Sequence, residues 1–342
     1  MRVMVAMSGG VDSSVAAAIL ADLDHEVVGV TLKLWGGESD TGCCSVADVD
    51  DARRVAQQLG INHQVFNFGE EFNTHVVEPY IAAHQAGYTP NPCVECNRHL
   101  KFDSLLERAQ TLGFDAVATG HHARVVQHAD GTKRVARGAD AAKDQSYVLH
   151  MLTQDQLAQV MFPLGERTKD EVRALAGSMG LRTAQKPDSQ DVCFITQTAG
   201  RAGFLAQRMD LHPGTVVDED GNEIGEVPAI ELVTIGQRKG LGVAGSDDRQ
   251  YAVAVDVPRR RVRIGRAEDL LTTTVSLSNL AWVADVEPET VLVQTSAHGT
   301  AAPATMVGNE VHWHEPRRRV APGQSVVIYQ GDEVIGSGIA CP

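Results

Sequence analysis

The chain has 342 residues, 43% of them hydrophobic and 22% charged, which suits two or three ordinary globular domains. Thirty basic against 44 acidic residues give a net charge of −14, which taken alone argues against a nucleic-acid binder, whose footprint is a basic patch. There is no apolar run of membrane-spanning length, and the opening MRVMVAMSGG lacks the apolar region and cleavage site of a secretory signal, so a cytoplasmic protein with no membrane partner is expected.

RVMVAM (2–7) is a short buried-strand run, followed by a glycine turn and the helical DSSVAAAILADLD (12–24). EVVGVTLKLW (26–35) is the next strand. VADVDDARRVAQQLG (46–60) has helical spacing at Val49, Ala52, Val55, Ala56 and Leu59 and stops at Gly60. HQVFNF (63–68) and DAVATGH (115–121) continue the strands, and strands separated by helices imply βαβ units and a parallel sheet covered on both faces. After about residue 200 the texture changes. HPGTVVDEDGNEIGE (212–226) has Pro-Gly and Asp-Gly turn signals, and YAVAVDV, TTTVSLSNLAWV, ETVLVQT and SVVIYQG alternate strand with turn, the pattern of small all-β modules, sandwich or barrel.

SGGVDSS (8–14) lies between the first strand and the first helix, at the edge of a parallel sheet where ligands bind. Gly9 and Gly10 allow a sharp turn and close backbone approach, and the helix N-terminus behind them favours an anion. Ser8, Ser13 and Ser14 add hydroxyl donors, and Asp12 is suited to cap the helix or help hold Mg²⁺. The pattern is neither a Walker loop nor a dinucleotide fingerprint. It resembles the pyrophosphate loop (PP-loop) of ATP pyrophosphatases, which cleave ATP between the α and β phosphates to adenylate a substrate oxygen.

Four further segments, TPNPCVECNRHLKF (89–102), ATGHHAR (118–124), AKDQSYVL (142–149) and DSQDVCFI (188–195), resemble in order the motifs of the tRNA-specific 2-thiouridylases. TIGQRKGLG (234–242) and PGQSVV (322–327) extend the likeness through the β-rich half. The resemblance implies an α/β fold with a Rossmann-like, adenine nucleotide α-hydrolase-like PP-loop domain over 1–204. A small β-rich central domain over 205–267 and a C-terminal β-barrel with tRNA contacts over 268–342 would follow. It implies sulfur placed at C2 of the wobble uridine, U34, in the tRNA anticodon loop, with ATP and Mg²⁺ as cofactors. The sulfur donor would be a cysteine desulfurase or a sulfur-relay protein. Carried over by position, Ala6, Met7, Ser8, Gly9, Gly10, Val11, Asp12, Ser13, Leu32 and Gly120 would contact ATP. His121, Lys143, Asp144, Gln145 and Gln324 would contact tRNA.

The same likeness makes Cys96 a catalytic nucleophile and Cys193 the carrier of a persulfide. Cys96 would attack that persulfide and leave a Cys96–Cys193 disulfide for later reduction. Cys93 departs from the family, many of whose members have aspartate there. Cys93, Cys96 and Cys193 together are three thiolates, one short of a closed zinc site and enough to hold three irons of a [4Fe–4S] cluster with the fourth open to hydrosulfide. Both routes stand at this point, beside zinc or a structural Cys-x-x-Cys turn. Cys43 and Cys44 read as loop packing, and Cys341 as inert. A second departure is Ser296-Ala297, where the family often has an Arg-aromatic pair on tRNA. The arginines of PRRRVRIGR (258–266) and HWHEPRRR (312–319) partly offset the acidic total. The rival readings are another ATP pyrophosphatase acting on a small molecule, and a non-catalytic tRNA- or metal-binding protein.

Overall fold

The computed structural model describes residues 1–34, 45–188, 192–195, 200–243, 249–283 and 290–342. Cys43 and Cys44, Trp35 at the expected end of the second strand and the 189–191 part of DSQDVCFI lie outside the described residues. The chain forms two compact units: Met1–Val77, Pro92–Thr198 and Asp332–Val334 make the first, and Glu78–Asn91, Ala199–Gly331 and Ile335–Pro342 the second.

In the first unit, β1 (Arg2–Ala6), β2 (Glu26–Lys33), β3 (Asn62–Asn67) and β4 (Ala116–Ala118) alternate with helices. An antiparallel hairpin of β5 (Ala123–Gln127) and β6 (Lys133–Arg137) follows, then the short β7 (Val160–Met161). The sheet order is β3-β2-β1-β4-β7, with every pair parallel. Val3, Met4 and Val5 are all buried, which is why β1 reads as an unbroken apolar run instead of an alternating one. Helix α1 (Val11–Asp22) is apolar all round because it too is buried, with Val15 to Ala18 inaccessible. Helix α2 (Val46–Leu59) is amphipathic. The Ser45 side chain caps it by accepting from the Asp48 amide, and Gly60 ends it in the left-handed conformation at φ +70°.

The strand expected over 115–121 ends at Ala118; the Thr119 amide still donates to the Met161 carbonyl of the neighbouring strand at 3.1 Å, and Gly120 then lies against α1. The chain builds β2 and β3 outward on one side of β1 and returns to lay β4 on the other. The strand order therefore reverses between β1 and β4, the point where α/β sheets bind ligands.

In the second unit, β8 (Gly214–Val217), β9 (Glu223–Val227), β10 (Tyr251–Asp256) and β11 (Arg261–Gly265) form a sheet of order β10-β11-β8-β9. Its core is Val216, Val227, Ile230, Ala252, Val262 and Ile264. The Asp-Gly signal makes the β8–β9 turn, where Asp218 Oδ1 accepts from the amides of Asp220 and Asn222 and Gly221 takes φ +85°.

The remaining strands are β12 (Leu271–Trp282), β13 (Thr290–Gln294), β14 (Ala302–Val307), β15 (Glu310–Arg318), β16 (Ser325–Gln330) and β17 (Glu333–Ala340). They run β12-β15-β14-β13-β16-β17 and close through β12 against β17, so the module is a barrel and not a sandwich. Closure depends on β12, whose first half pairs β15 and whose second half pairs β17. The bend lies at Asn279, φ 51°. Gly336 and Gly338 on β17 admit Trp282 and Leu277 where that seam forms.

His84, on the helix Glu78–Gln85, is 2% exposed, with its ring 4.6 Å from that of Tyr80 and its Nδ1 3.4 Å from the Glu231 carbonyl. Burial, helped by the charge of Arg201, lowers its pKa from 6.5 to about 4. The folded chain therefore binds fewer protons than the unfolded one between those values. This contribution is complete above pH 6.5 and is lost as pH falls towards 4. Integrating the shift gives a loss of about 2 kcal/mol between pH 7 and 5. Denaturant titrations at the two pH values should show it, and His84→Asn should remove most of that difference.

Candidate active site

Beyond Ala6 the chain turns through Met7–Gly10 into α1, whose N-cap is Gly10. Gly9 takes φ +75°, and a Cβ there would overlap the Asp48 carbonyl. At Gly120 a Cβ would lie 2.7 Å from Asp12 C and Ser13 N, backbone atoms that cannot give way. Gly10 is open, its nearest neighbour being Ser8 Oγ at 3.4 Å from an added Cβ. The loop after β1 thus lies against α2 and the exit of β4 against the start of α1, and this close backbone approach leaves a main-chain cradle of the shape a polyphosphate needs.

The serines divide by burial. Ser13 and Ser14 are 5% and 0% exposed and donate back to the Gly10 carbonyl at 3.2 and 2.8 Å. Ser13 Oγ also accepts from the Ser8 amide. They therefore brace the loop, since buried hydroxyls must be paired, and Ser8 carries the exposed hydroxyl of the three.

Asp12 lies in the first turn of α1, where the helix dipole favours a carboxylate. Lys169 Nζ donates to both of its oxygens at 2.7 Å, and His122 Nε2 lies 3.3 Å from Oδ1. Burial alone would raise this carboxyl, but the hydrogen bonds from His122 and Lys169 outweigh it and hold it below the ordinary carboxylate range. Lys169, only 7% exposed, also reaches Asp188 Oδ1 at 2.8 Å. Asp188 further accepts from Lys143 Nζ at 2.7 Å and Arg173 Nη2 at 2.6 Å. Burial opposes its ionisation too, and Lys143 and Lys169 depress its pKa strongly. A second lysine, Lys186, donates to the Gly9 carbonyl at 2.9 Å, to Asp48 at 2.6 Å and to Asp51 at 2.8 Å.

His122, Lys169, Asp188 and Lys186 were not among the residues singled out from sequence. In Gly120-His121-His122 the resemblance assigns a role to the first histidine only. The signal at Lys169 was Thr168-Lys-Asp-Glu171, a capping box that marks it as the first residue of the helix Lys169–Ser178, not as a partner of Asp12.

The expected tRNA residues divide as well. His121 is buried between Phe102 and Phe162, its Nδ1 2.6 Å from Thr119 Oγ1, and burial pushes its pKa well below the usual value. Asp144 is consumed internally, accepting from Arg137, the Gly138 and Ser146 amides and Ser146 Oγ. Gln145 Oε1 accepts from the His122 amide at 2.9 Å. Lys143 keeps 42% of its side chain exposed while paired to Asp188, a bond that raises its pKa. Gln324, in the second unit, donates through Nε2 to the Thr89 carbonyl. Ser296 and Ala297 lie in the β13–β14 turn, where Gln294 Nε2 donates to the Ser296 carbonyl at 2.9 Å.

Cys93 is exposed on the short helix Pro92–Glu95, whereas Cys96 is buried and opens a nine-residue π-helix, Cys96–Ser104. The wide turn shows in Ser104 Oγ donating to the His99 carbonyl at 2.8 Å, and π-helical insertions are frequent at functional sites. Cys193 is half-buried. The next residue, Phe194, packs edge-on to Phe72 at 5.5 Å, and the helix Gly69–Phe72 packs on the π-helix that begins at Cys96. The residue after Cys193 and the π-helix that begins at Cys96 thus pack on the same short helix. Among the described residues no three His, Cys, Asp or Glu side chains converge to hold a metal, so the Cys93, Cys96 and Cys193 set as placed does not fit a cluster.

A glycine cradle at the reversal of a parallel sheet, with a helix N-terminus and a cation-held carboxylate, defines a HUP-type nucleotide-handling domain. Residues 1–197 match the family described as the tRNA methyl transferase HUP domain. Residues 202–266 match its PRC-barrel domain, and 272–340 an aminomethyltransferase beta-barrel domain. The chain is 44% identical over 369 residues to the tRNA-specific 2-thiouridylase MnmA of Roseiflexus sp. (strain RS-1), covering 98% of each. It is 46% identical over 356 residues to the MnmA of Mycolicibacterium smegmatis, again covering 98% of each. With the MnmA of Chloroflexus aurantiacus (strain ATCC 29366 / DSM 635 / J-10-fl) it shares 45% over 350 residues, 98% of this chain and 97% of that one. The chain belongs to the tRNA-specific 2-thiouridylase family and is a transferase. The domain descriptions speak of methyl transfer, but the relatives matched end to end are thiouridylases.

Gly120→Ala should weaken binding of Mg·ATP at least tenfold, measured by calorimetry, since the added methyl forces the β4 exit away from Asp12 and Ser13.

Proposed function

We propose that this protein, acting in the cytoplasm, transfers sulfur to C2 of U34 in the tRNA anticodon loop at the expense of ATP. The observation that carries the reading is likeness to 2-thiouridylases over 98% of the chain together with the folded SGGVDSS cradle and its held Asp12. The proposed modules are 1–204 for catalysis, 205–267 as the central β-rich part and 268–342 as the barrel with tRNA contacts.

The cradle formed by Ala6 to Ser13, with Leu32 and Gly120, binds the nucleotide. Asp12 would be the protein ligand of Mg²⁺, which would supply neutralisation of phosphate charge. The uridine C2 oxygen attacks the α-phosphate and pyrophosphate leaves, which turns a poor leaving group into AMP. Lys169 and Lys186 hold positive charge beside the reacting phosphates. A wobble base lies in a single-stranded loop, so presenting it takes little unstacking. Lys143 and Gln145 serve the RNA side, as does Gln324. Asp144 orders the loop that carries Lys143, and buried His121 supports His122 from beneath.

Sulfur arrives on Cys193 as a persulfide, loaded by a cysteine desulfurase or a relay protein. The Cys96 thiolate attacks the inner sulfur and forms a Cys96–Cys193 disulfide. The hydrosulfide set free attacks C2, and AMP departs with the C2 oxygen. A thiol reductant then donates two electrons to that disulfide, which returns both cysteines to thiols and leaves the reductant oxidised to a disulfide. Exposed Cys93 beside buried Cys96 favours this route over a [4Fe–4S] cluster on the three thiolates.

The test is 2-thiouridine formation on a U34 transcript with ATP and a persulfide donor, with pyrophosphate release followed in parallel. Cys96→Ser and Cys193→Ser should each lower thiolation more than 100-fold while tRNA-dependent pyrophosphate release stays within a few-fold. Cys93→Ala should retain activity. Four irons per chain in anaerobically purified protein, lost in Cys93→Ala, would replace the persulfide with the cluster. Pyrophosphate release driven by a small molecule without tRNA would overturn the tRNA reading.

A further inference from the structure

The four-stranded sheet of the second unit has two unlike faces. Val216, Val262 and Ile264 turn into its core. On β11, Arg261 and Arg263 alternate with these and share the opposite face. The register places Arg263 between Val217 of β8 and Ala254 of β10, and Arg261 between Thr215 and Asp256. This face lines a cavity of about 520 Å³ whose remaining walls include Tyr88, Val257 and Pro322. The wall at Tyr88 is fixed closely. Gly87 takes φ +79°, and a Cβ there would press on Val257 Cγ2 at 2.9 Å.

The charge in this cavity is only partly compensated. Among the described residues Arg263 has no ion-pair partner, and Arg261 reaches only the exposed Glu223 at 3.8 Å. Asp256, the acidic side chain in the lining, is already taken by Arg259, whose Nη1 lies 2.8 Å from Oδ2. Two guanidiniums facing one cavity in a chain of net charge −14 are suited to an anion brought by a partner. Two residues apart on one strand, they stand about 6.6 Å apart along it, the scale of neighbouring phosphates on a nucleic-acid strand. Tyr88, Val257 and Pro322 offer the apolar surface that a ribose or base would cover, which an acidic side chain would not. The same wall leads to Gln324: the Thr89 amide donates to the Pro322 carbonyl at 2.8 Å, and the Thr89 carbonyl accepts from Gln324.

We infer that this cavity is a tRNA backbone site, in which Arg261 and Arg263 bind phosphates of the tRNA away from the target uridine. The inference rests on the tRNA reading above. The test uses the full-length chain carrying Arg261→Glu and Arg263→Glu together, with Arg261→Lys/Arg263→Lys as the charge-preserving control. The expected result is a tRNA Kd raised at least tenfold, a salt dependence shallower by about 1 to 2 in log K against log salt, and turnover at saturating tRNA unchanged. The lysine pair should recover most of the affinity, because phosphate attraction needs the charge more than the fork. An unchanged Kd and salt slope in the folded glutamate variant would overturn the site. Slower sulfur delivery from the donor protein with tRNA affinity intact would overturn it too, and assign the face to a protein. Wild-type protein that binds no tRNA would instead bring down the tRNA reading itself, which separates the two failures.

Discussion

The first unit depends on one buried ammonium between two carboxylates. Lys169 joins Asp12, in the nucleotide loop, to Asp188, on the segment that leads to Cys193. An ammonium buried at the first position of a helix is opposed both by desolvation and by the helix dipole, so it is held only because both carboxylates stay ionised. Each acid gains in return, since the hydrogen bonds they accept outweigh the burial that would protonate them. The arrangement is mutual: without Lys169, two partly buried carboxylates would face one another across the loop. Lys186 repeats the device on the other side of Gly9, tying the same late segment to Asp48 and Asp51. The nucleotide cradle and the approach to Cys193 are therefore one electrostatic assembly.

What the sequence made legible follows from how local each signal is. Gly9, Gly10 and Asp12 are contiguous, and their role comes from a strand, a turn and a helix start that adjoin in the chain. The stop at Gly60 and the βαβ rhythm are local in the same sense. Lys169 is 157 residues from Asp12, and Lys186 is 177 from Gly9, so no window contains either pair. Lys143, Asp144 and Gln145, which the family resemblance assigns together to tRNA, are adjacent in the chain, yet their side chains go to Asp188, to the Arg137–Ser146 loop and to the His122 backbone. In the β-rich half the alternation announced strands but not their closure. Whether such strands make a sandwich or a barrel depends on β12 pairing with both β15 and β17, a fact about strand order that alternation does not encode.

Charge illustrates the same distinction at larger scale. A total of −14 is a poor guide to partners because it does not say where the charges sit. Asp12, Asp48, Asp51, Asp188 and Asp256 are each engaged by a lysine or arginine. What a partner meets is the local charge, and on the outer face of β11 Arg261 and Arg263 are basic.

The π-helix at Cys96 makes residue count a form of information. Over Cys96–Ser104 the backbone is wound more widely than an α-helix, as a chain is when it carries an inserted residue. Losing a single residue there would let the stretch relax to ordinary winding and turn everything before it by about 100° about the axis. No side chain between Asn97 and Ser104 need touch the substrate for this to matter. The direction in which the Cys96 sulfur points is set by the length of that stretch, so a deletion there would redirect the thiol while leaving its chemistry and its neighbours in sequence intact.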